Sequence, residues 1–166
     1  SFRIERTFMY FDTSGITGTV TSAAFHIIGH SSGTDGSIIA VKSNAFGGDG
    51  GTALSTADFD AIPGWTDGAS QAGNVTNYSA AFQSTSGTWN LNASNTLAGT
   101  SDLRSDMQNN DIVIVCFLDY TNDYLNVEPS SVSTLNIGGR YSEQTIVNAR
   151  PHINYVEATT GYTHSI

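Results

Sequence analysis

Positive charge is what this chain has least of. Lys42 is its only lysine, and six basic residues in all face 15 acidic ones, for a net charge of −9. A nucleic-acid binder needs a basic stripe to displace counterions from phosphates, and none is present. The same deficit disfavours docking on an anionic membrane surface. Cysteine is almost absent too. Cys116 stands alone, which excludes an internal disulfide, and its apolar surroundings read as a small hydrophobe rather than an exposed nucleophile. No apolar run approaches the ~20 residues that a spanning helix needs, and none reads as a signal peptide. The chain opens at Ser1 without an initiator Met, so a processed or trimmed product is expected.

What fills the space is Ser, Thr, Asn and Gly, at 20, 20, 13 and 17 residues, while charged residues make up only 13%. Such residues favour turns and hydrated β-surface over helix. A length of 166 residues suits one domain with a real core. The stretch Asp111-Ile-Val-Ile-Val-Cys-Phe-Leu-Asp119 sets the architecture, because seven apolar residues run between two aspartates. That pattern predicts a central strand buried on both faces. Ile112, Ile114, Cys116 and Leu118 line one face, and Val113, Val115 and Phe117 the other.

Taken in order, Thr7-Phe-Met-Tyr-Phe-Asp12 reads as a strand stopped by the turn residues that follow it. Residues 19–28 read as a second strand, with Val20, Ala23, Phe25 and Ile27 inward and His26 facing away. Residues 31–36 form a polar turn, and Ser37-Ile-Ile-Ala-Val-Lys42 a third strand. A helical turn capped by Ser55 with Asp58 is expected, ended by Pro63 and Gly64. Short strands are expected at residues 78–82 and 89–93, then one or two helical turns within 95–108 using Leu97, Leu103 and Met107. Asn122-Asp123 predicts a hairpin into residues 124–128. Residues 133–137 and 140–143 flank a Gly138-Gly139 turn, and His152-Ile-Asn-Tyr-Val-Glu157 alternates as a last strand. Many short strands and little helix mean a β-sandwich or barrel, and the long irregular crossovers favour jelly-roll connections.

Arg6-Thr-Phe-Met-Tyr-Phe-Asp-Thr-Ser14 and Val20-Thr-Ser-Ala-Ala-Phe25 resemble the jelly-roll module of phage tail and other virion proteins. That module is in turn similar to DNRLRE-type, carbohydrate-binding-like domains. Ile39-Ala-Val-Lys-Ser, Asp58-Phe-Asp-Ala-Ile, Trp89-Asn-Leu-Asn-Ala and Arg150-Pro-His-Ile-Asn-Tyr-Val follow in the family's order. The resemblance implies an all-β fold: a jelly-roll β-sandwich of two antiparallel sheets with one or two short helical turns. Two departures stand out. Family members carry a strand before the Arg6 segment, and here a tail, residues 159–166, extends past the expected last strand. The expected organisation is one sandwich over residues 1–158 and a polar tail that either exchanges into a neighbouring subunit or stays loose.

Chemistry is sparse. Asp58, Asp60 and Asp67 are the carboxylates a glycan hydrolase would use, yet acids in a polar loop read first as solvated surface or a helix cap. No nucleophile elbow, zinc helix or phosphate loop is present. His26, His30, His152 and His164 are scattered, and Asp35, Asp49, Asp119 and Asp123 lie in turns without calcium-loop spacing, so no metal and no catalytic residue is assigned. Trp65, Trp89 and Tyr78 are glycan-stacking candidates, with core packing as the other reading of both tryptophans. Asn74, Asn77 and Asn92 head glycosylation sequons. Lys42 near a strand end raises an internal isopeptide bond with Asp or Asn. The expectation is a non-enzymatic structural subunit without cofactors, extracellular or on a virion surface. Its partners would be copies of itself and glycans, not nucleic acid or membrane. The second reading is a carbohydrate-binding module using exposed aromatics.

Overall fold

Burial of the 112–118 stretch on both faces dictates where everything else lies. The computed structural model describes residues 4–31, 37–83, 94–129, 136–137, 151–158 and 163–166. Its strands are β1 (Thr7–Asp12), β2 (Val20–Ser31), β3 (Ser37–Lys42), β4 (Phe82–Gln83), β5 (Ser94–Ala98), β6 (Ile112–Asp119), β7 (Asn136–Ile137), β8 (His152–Glu157) and β9 (Thr163–Ser165). Among the described residues one α-helix, α1 (Ser101–Asn109), precedes β6. The first antiparallel sheet runs β1-β6-β3-β4. The second runs β5-β2-β8-β9, with β7 pairing the far end of β2. The chain is an all-β sandwich that crosses between sheets at most connections, the habit of jelly rolls rather than of a meander.

The two faces of β6 do what its sequence requires. Val113, Val115 and Phe117 enter the core between the sheets with Phe25, Leu97, Ile153, Leu103 and Met107. Phe25 meets Phe117 edge-on at 5.3 Å. Cys116 and Leu118 face outward into a second apolar cluster with Ile39, Val41, Ile62, Val75 and Tyr124. That cluster sits under the long segment after β3, and burial there pushes the Cys116 thiol far up. Gly64 permits a tight turn in this cover. Its φ is +86°, and a Cβ would lie 2.0 Å from the Asn74 carbonyl oxygen. Gln71, fully buried, ties the cover together by donating to the carbonyls of Thr66 and Ala69.

In β2 the inward set Val20, Ala23, Phe25 and Ile27 breaks strict alternation. A bulge between Val20 and Ser22 against β8 supplies the extra residue that shifts the phase. The Ser55 turn forms a short 3-10 helix, Thr56–Asp60, with Asp58 Oδ2 accepting the Ser55 amide at 2.8 Å.

Three expectations are corrected. Leu97 belongs to β5 opposite Phe25, not to the helix. Gly99 separates the two elements, because a Cβ there would meet the Ala23 carbonyl oxygen at 2.8 Å, and Thr100 then caps α1. Leu103 and Met107 alone form the helix's buried stripe. Residues 122–128 do not form the expected hairpin. The Asp119 carboxylate accepts the Asn122 amide, and residues Tyr120–Tyr124 close a π-helical turn that sends Tyr124 into the outer cluster. The described end of the tail, residues 163–166, is not loose. Residues 163–165 pair with β8, and the Ile166 and Ile153 backbones exchange hydrogen bonds at 2.8 and 2.9 Å while Ile166 packs on the core. Trp89, Asn92, the turn expected at 31–36 apart from Ser31, the Gly138-Gly139 turn and the 140–143 segment beside it lie outside the described residues.

Phe117→Ala leaves a cavity where the two sheets meet. It is expected to cost about 3–5 kcal/mol, read as a lowered urea midpoint at unchanged slope.

Candidate functional site

Residues 6–14 carry β1, the outer margin of the first sheet among the described strands. Arg6 holds its start. The guanidinium donates from Nε and Nη2 to the two carboxylate oxygens of Asp123 at 2.7 and 2.8 Å, a bidentate pair. Nη1 donates to Asp60 Oδ1 at 2.7 Å and to the Phe59 carbonyl at 2.6 Å. The guanidinium carbon lies 4.1 Å from the centroid of the Phe59 ring and 3.9 Å from that of Trp65. The Arg6 and Asp123 side chains are only 3% and 5% exposed. Burial alone would oppose the charge, but the bonds and charges of Asp123 and Asp60 outweigh it and raise the Arg6 pKa. The other end of the segment is held as firmly. Asp12 Oδ1 accepts both the amide and the hydroxyl of Ser14, and the Thr13 hydroxyl donates to the Asn110 carbonyl.

Between these anchors the register fixes which backbone groups face out. The Thr13 amide donates to the Asp111 carbonyl at 2.9 Å, so Thr7, Met9 and Phe11 are the residues that exchange bonds with β6. On the other side of β6, the Ser43 amide bonds the Ile114 carbonyl, which gives the even β6 residues to β3, as the alternation requires. The amides and carbonyls of Phe8, Tyr10 and Asp12 therefore point away from the sheet. Among the described residues no further strand pairs with β1. At six residues it is the longest margin among the described strands, against two in β4, five in β5 and three in β9.

The residues singled out from sequence lie elsewhere. Tyr78 is 1% exposed and donates its hydroxyl to Asp106, so it presents no ring to a glycan, which corrects that assignment. Burial, then Asp106, pushes its pKa well up. Trp65 is half-buried, one face taken by Arg6, its Nε1 donating to Asp67. Trp89 and Asn92 fall outside the described residues. Asn74 is exposed, whereas Asn77 is half-buried and donates its side-chain amide to the Tyr124 hydroxyl.

Asp58, Asp60 and Asp67 each accept a hydrogen bond, from Ser55, Arg6 and Trp65 in turn. Lys42 meets Asp106 at 2.8 Å. Burial pushes the Asp106 pKa upward, but bonds from Lys42 and Tyr78 prevail and hold it below the usual range. An ionised acid beside an ammonium is an ion pair, the wrong protonation for amide condensation. Among the described residues no three His, Cys, Asp or Glu gather to hold a metal, and no helix is long and apolar enough to cross a membrane.

Sequence reasoning missed Arg6 as an anchor. The available signal was a basic residue immediately before an apolar strand in a chain nearly devoid of positive charge. The chain matches no family model, no curated protein and no solved structure.

Arg6→Met strands the buried Asp123 carboxylate and is expected to cost about 3–5 kcal/mol in chemical denaturation, much of it recovered by adding Asp123→Leu. A second outcome concerns pH. His26 and His152 face each other across β2 and β8, rings stacked at 4.9 Å. Burial, then the charge of His152, lowers the His26 pKa from 6.5. The unfolded chain then binds the proton more readily, so this part of the stability is full above the unfolded value and is lost as pH falls below it. The melting temperature should drop from about pH 7 to about pH 5, a window above most carboxylate titration. His152→Gln should shrink that drop.

Proposed function

We propose that this chain is a non-enzymatic structural subunit of an extracellular fibre or virion appendage, and that it assembles by pairing the open margin of β1 with another copy. One observation carries the reading: β1 is anchored at both ends while the amides and carbonyls of Phe8, Tyr10 and Asp12 face outward. Such an edge is a template for strand addition, and proteins that avoid it blunt it with lysine, proline or bulges. β1 contains no lysine or proline, and its register with β6 is unbroken.

Two copies meeting antiparallel at β1 would form a self-complementary, two-fold contact, joining their first sheets into one. Pre-anchoring at Arg6 and Asp12 lowers the ordering cost of that pairing. A surface poor in lysine and net negative suits a hydrated, extracellular or virion setting, and it makes assembly stronger at higher salt, where like charges are screened. Tail exchange is not the favoured route, because β9 sits on its own β8. Glycan binding through Trp65 and Tyr78 has no exposed stacking pair to support it.

Tyr10→Pro deletes one outward amide without touching a bond to β6, whereas Tyr10→Ala keeps that amide. Sedimentation velocity should show oligomers for the wild type and Tyr10→Ala, and a folded monomer for Tyr10→Pro. A wild-type chain that stays monomeric at every concentration and salt level contradicts the reading.

A further inference from the structure

The incompletely covered apolar surface of β1 lies in one place. Phe8 is half-buried against the outer cluster, Met9 is half-buried against the core between the sheets, and Tyr10 is 51% exposed. Phe11 beyond them is buried, and the strand ends in the exposed carboxylate of Asp12. Three consecutive apolar residues therefore border the open margin, with Met9 at their centre and a charge to one side. By alternation Phe8, Tyr10 and Asp12 share the outer face of the sheet, and Met9 and Phe11 the inner one.

This distribution chooses among the ways in which two copies can meet at β1. The outward amides and carbonyls belong to Phe8, Tyr10 and Asp12, so in an antiparallel ladder these residues face one another. The two-fold axis then falls on a residue and not between two. An axis at Met9 pairs residues 7–11 of the copies, and an axis at Tyr10 pairs residues 8–12. Any other axis leaves three strand residues or fewer in the ladder, because β1 spans only Thr7–Asp12. Charge decides between the two long registers. The axis at Tyr10 sets each Asp12 carboxylate opposite a Phe8 ring, which removes water from the charge and returns no partner. The axis at Met9 sets Phe8 opposite Tyr10 twice over, and moves both carboxylates past the aromatics to the ends of the ladder.

We propose, resting on the assembly reading, that two copies of this chain join across a two-fold axis at Met9, with Phe8 of each opposite Tyr10 of the other. Each of those two pairs exchanges two backbone bonds, and Met9 stands between them in a non-hydrogen-bonded pair with its own copy, Cα atoms about 4.5 Å apart. The aromatic pairs form on the outer face, beside the cluster that already holds Phe8, and the contact covers the exposed Tyr10 side chain. Tyr10→Ala still associates through its backbone, about tenfold more weakly, since both aromatic pairs go at once.

Disulfide trapping tests the register, because Cys116 is the chain's one cysteine and is buried. Full-length Met9→Cys and Tyr10→Cys are held separately in a glutathione redox buffer, and covalent dimer is read by intact mass. Met9→Cys should convert largely to dimer, since disulfides close between Cα atoms about 4.4–6.8 Å apart. Tyr10→Cys should lag about tenfold, because its two copies lie on a diagonal of roughly 7–8 Å. An equimolar mixture of Phe8→Cys and Tyr10→Cys should again give a dimer, of the mixed mass. Faster trapping of Tyr10→Cys than of Met9→Cys overturns the Met9 axis. So does a wild type that sediments as a dimer while neither Met9→Cys nor the mixture is trapped. A wild type that sediments only as a monomer removes the assembly reading and the register with it, which separates that failure from a wrong axis.

Discussion

The two-sided burial of β6 is the constraint from which the rest follows. A strand apolar on both faces cannot sit at a surface, so each face needs its own cover. The second sheet and α1 cover one face, and the long segment after β3 with the π-helical turn covers the other. Hydrogen bonding then decides the neighbours. β6 gives alternate residues to β3 and to β1, and β1, with β6 on one side, becomes the margin among the described strands. Openness at β1 is thus a consequence of where the most apolar strand had to go.

Arg6 makes that margin definite. A buried arginine whose guanidinium is matched by Asp123, Asp60 and a carbonyl, and covered by Phe59 and Trp65, pins the entry to β1 on two distant parts of the chain. Such a cluster adds little net stability over a well-packed apolar one, but its geometry is hard to satisfy in more than one way. Its contribution here is position: it sets the strand's start and so its phase. The outward backbone groups of β1 inherit that phase.

What could be read from the residues was whatever depends on local pattern. The faces of β6, the inward set of β2, the six residues of β3 and the alternation of β8 all follow from side-chain periodicity, and the structure has them. What could not be read depends on partners far along the chain. Tyr78 looked like a surface ring until Asp106 and the core were seen to enclose it. Leu97 fitted a helical stripe as well as a strand, and only the close approach of Gly99 to Ala23 decides between them. Asn122-Asp123 has good turn chemistry, but Asp123 is committed to Arg6, 117 residues away. Tyr10 gave no signal at all, since its exposure depends on β1 being an edge.

Hydrogen exchange of the β1 amides, followed against protein concentration, tests the central claim most directly. Thr7, Met9 and Phe11 should be protected at every concentration, because β6 holds them. The account predicts that Phe8 and Tyr10 exchange fast in dilute solution and gain protection as copies associate. Protection of those two amides at infinite dilution, or free exchange at all concentrations, would contradict it.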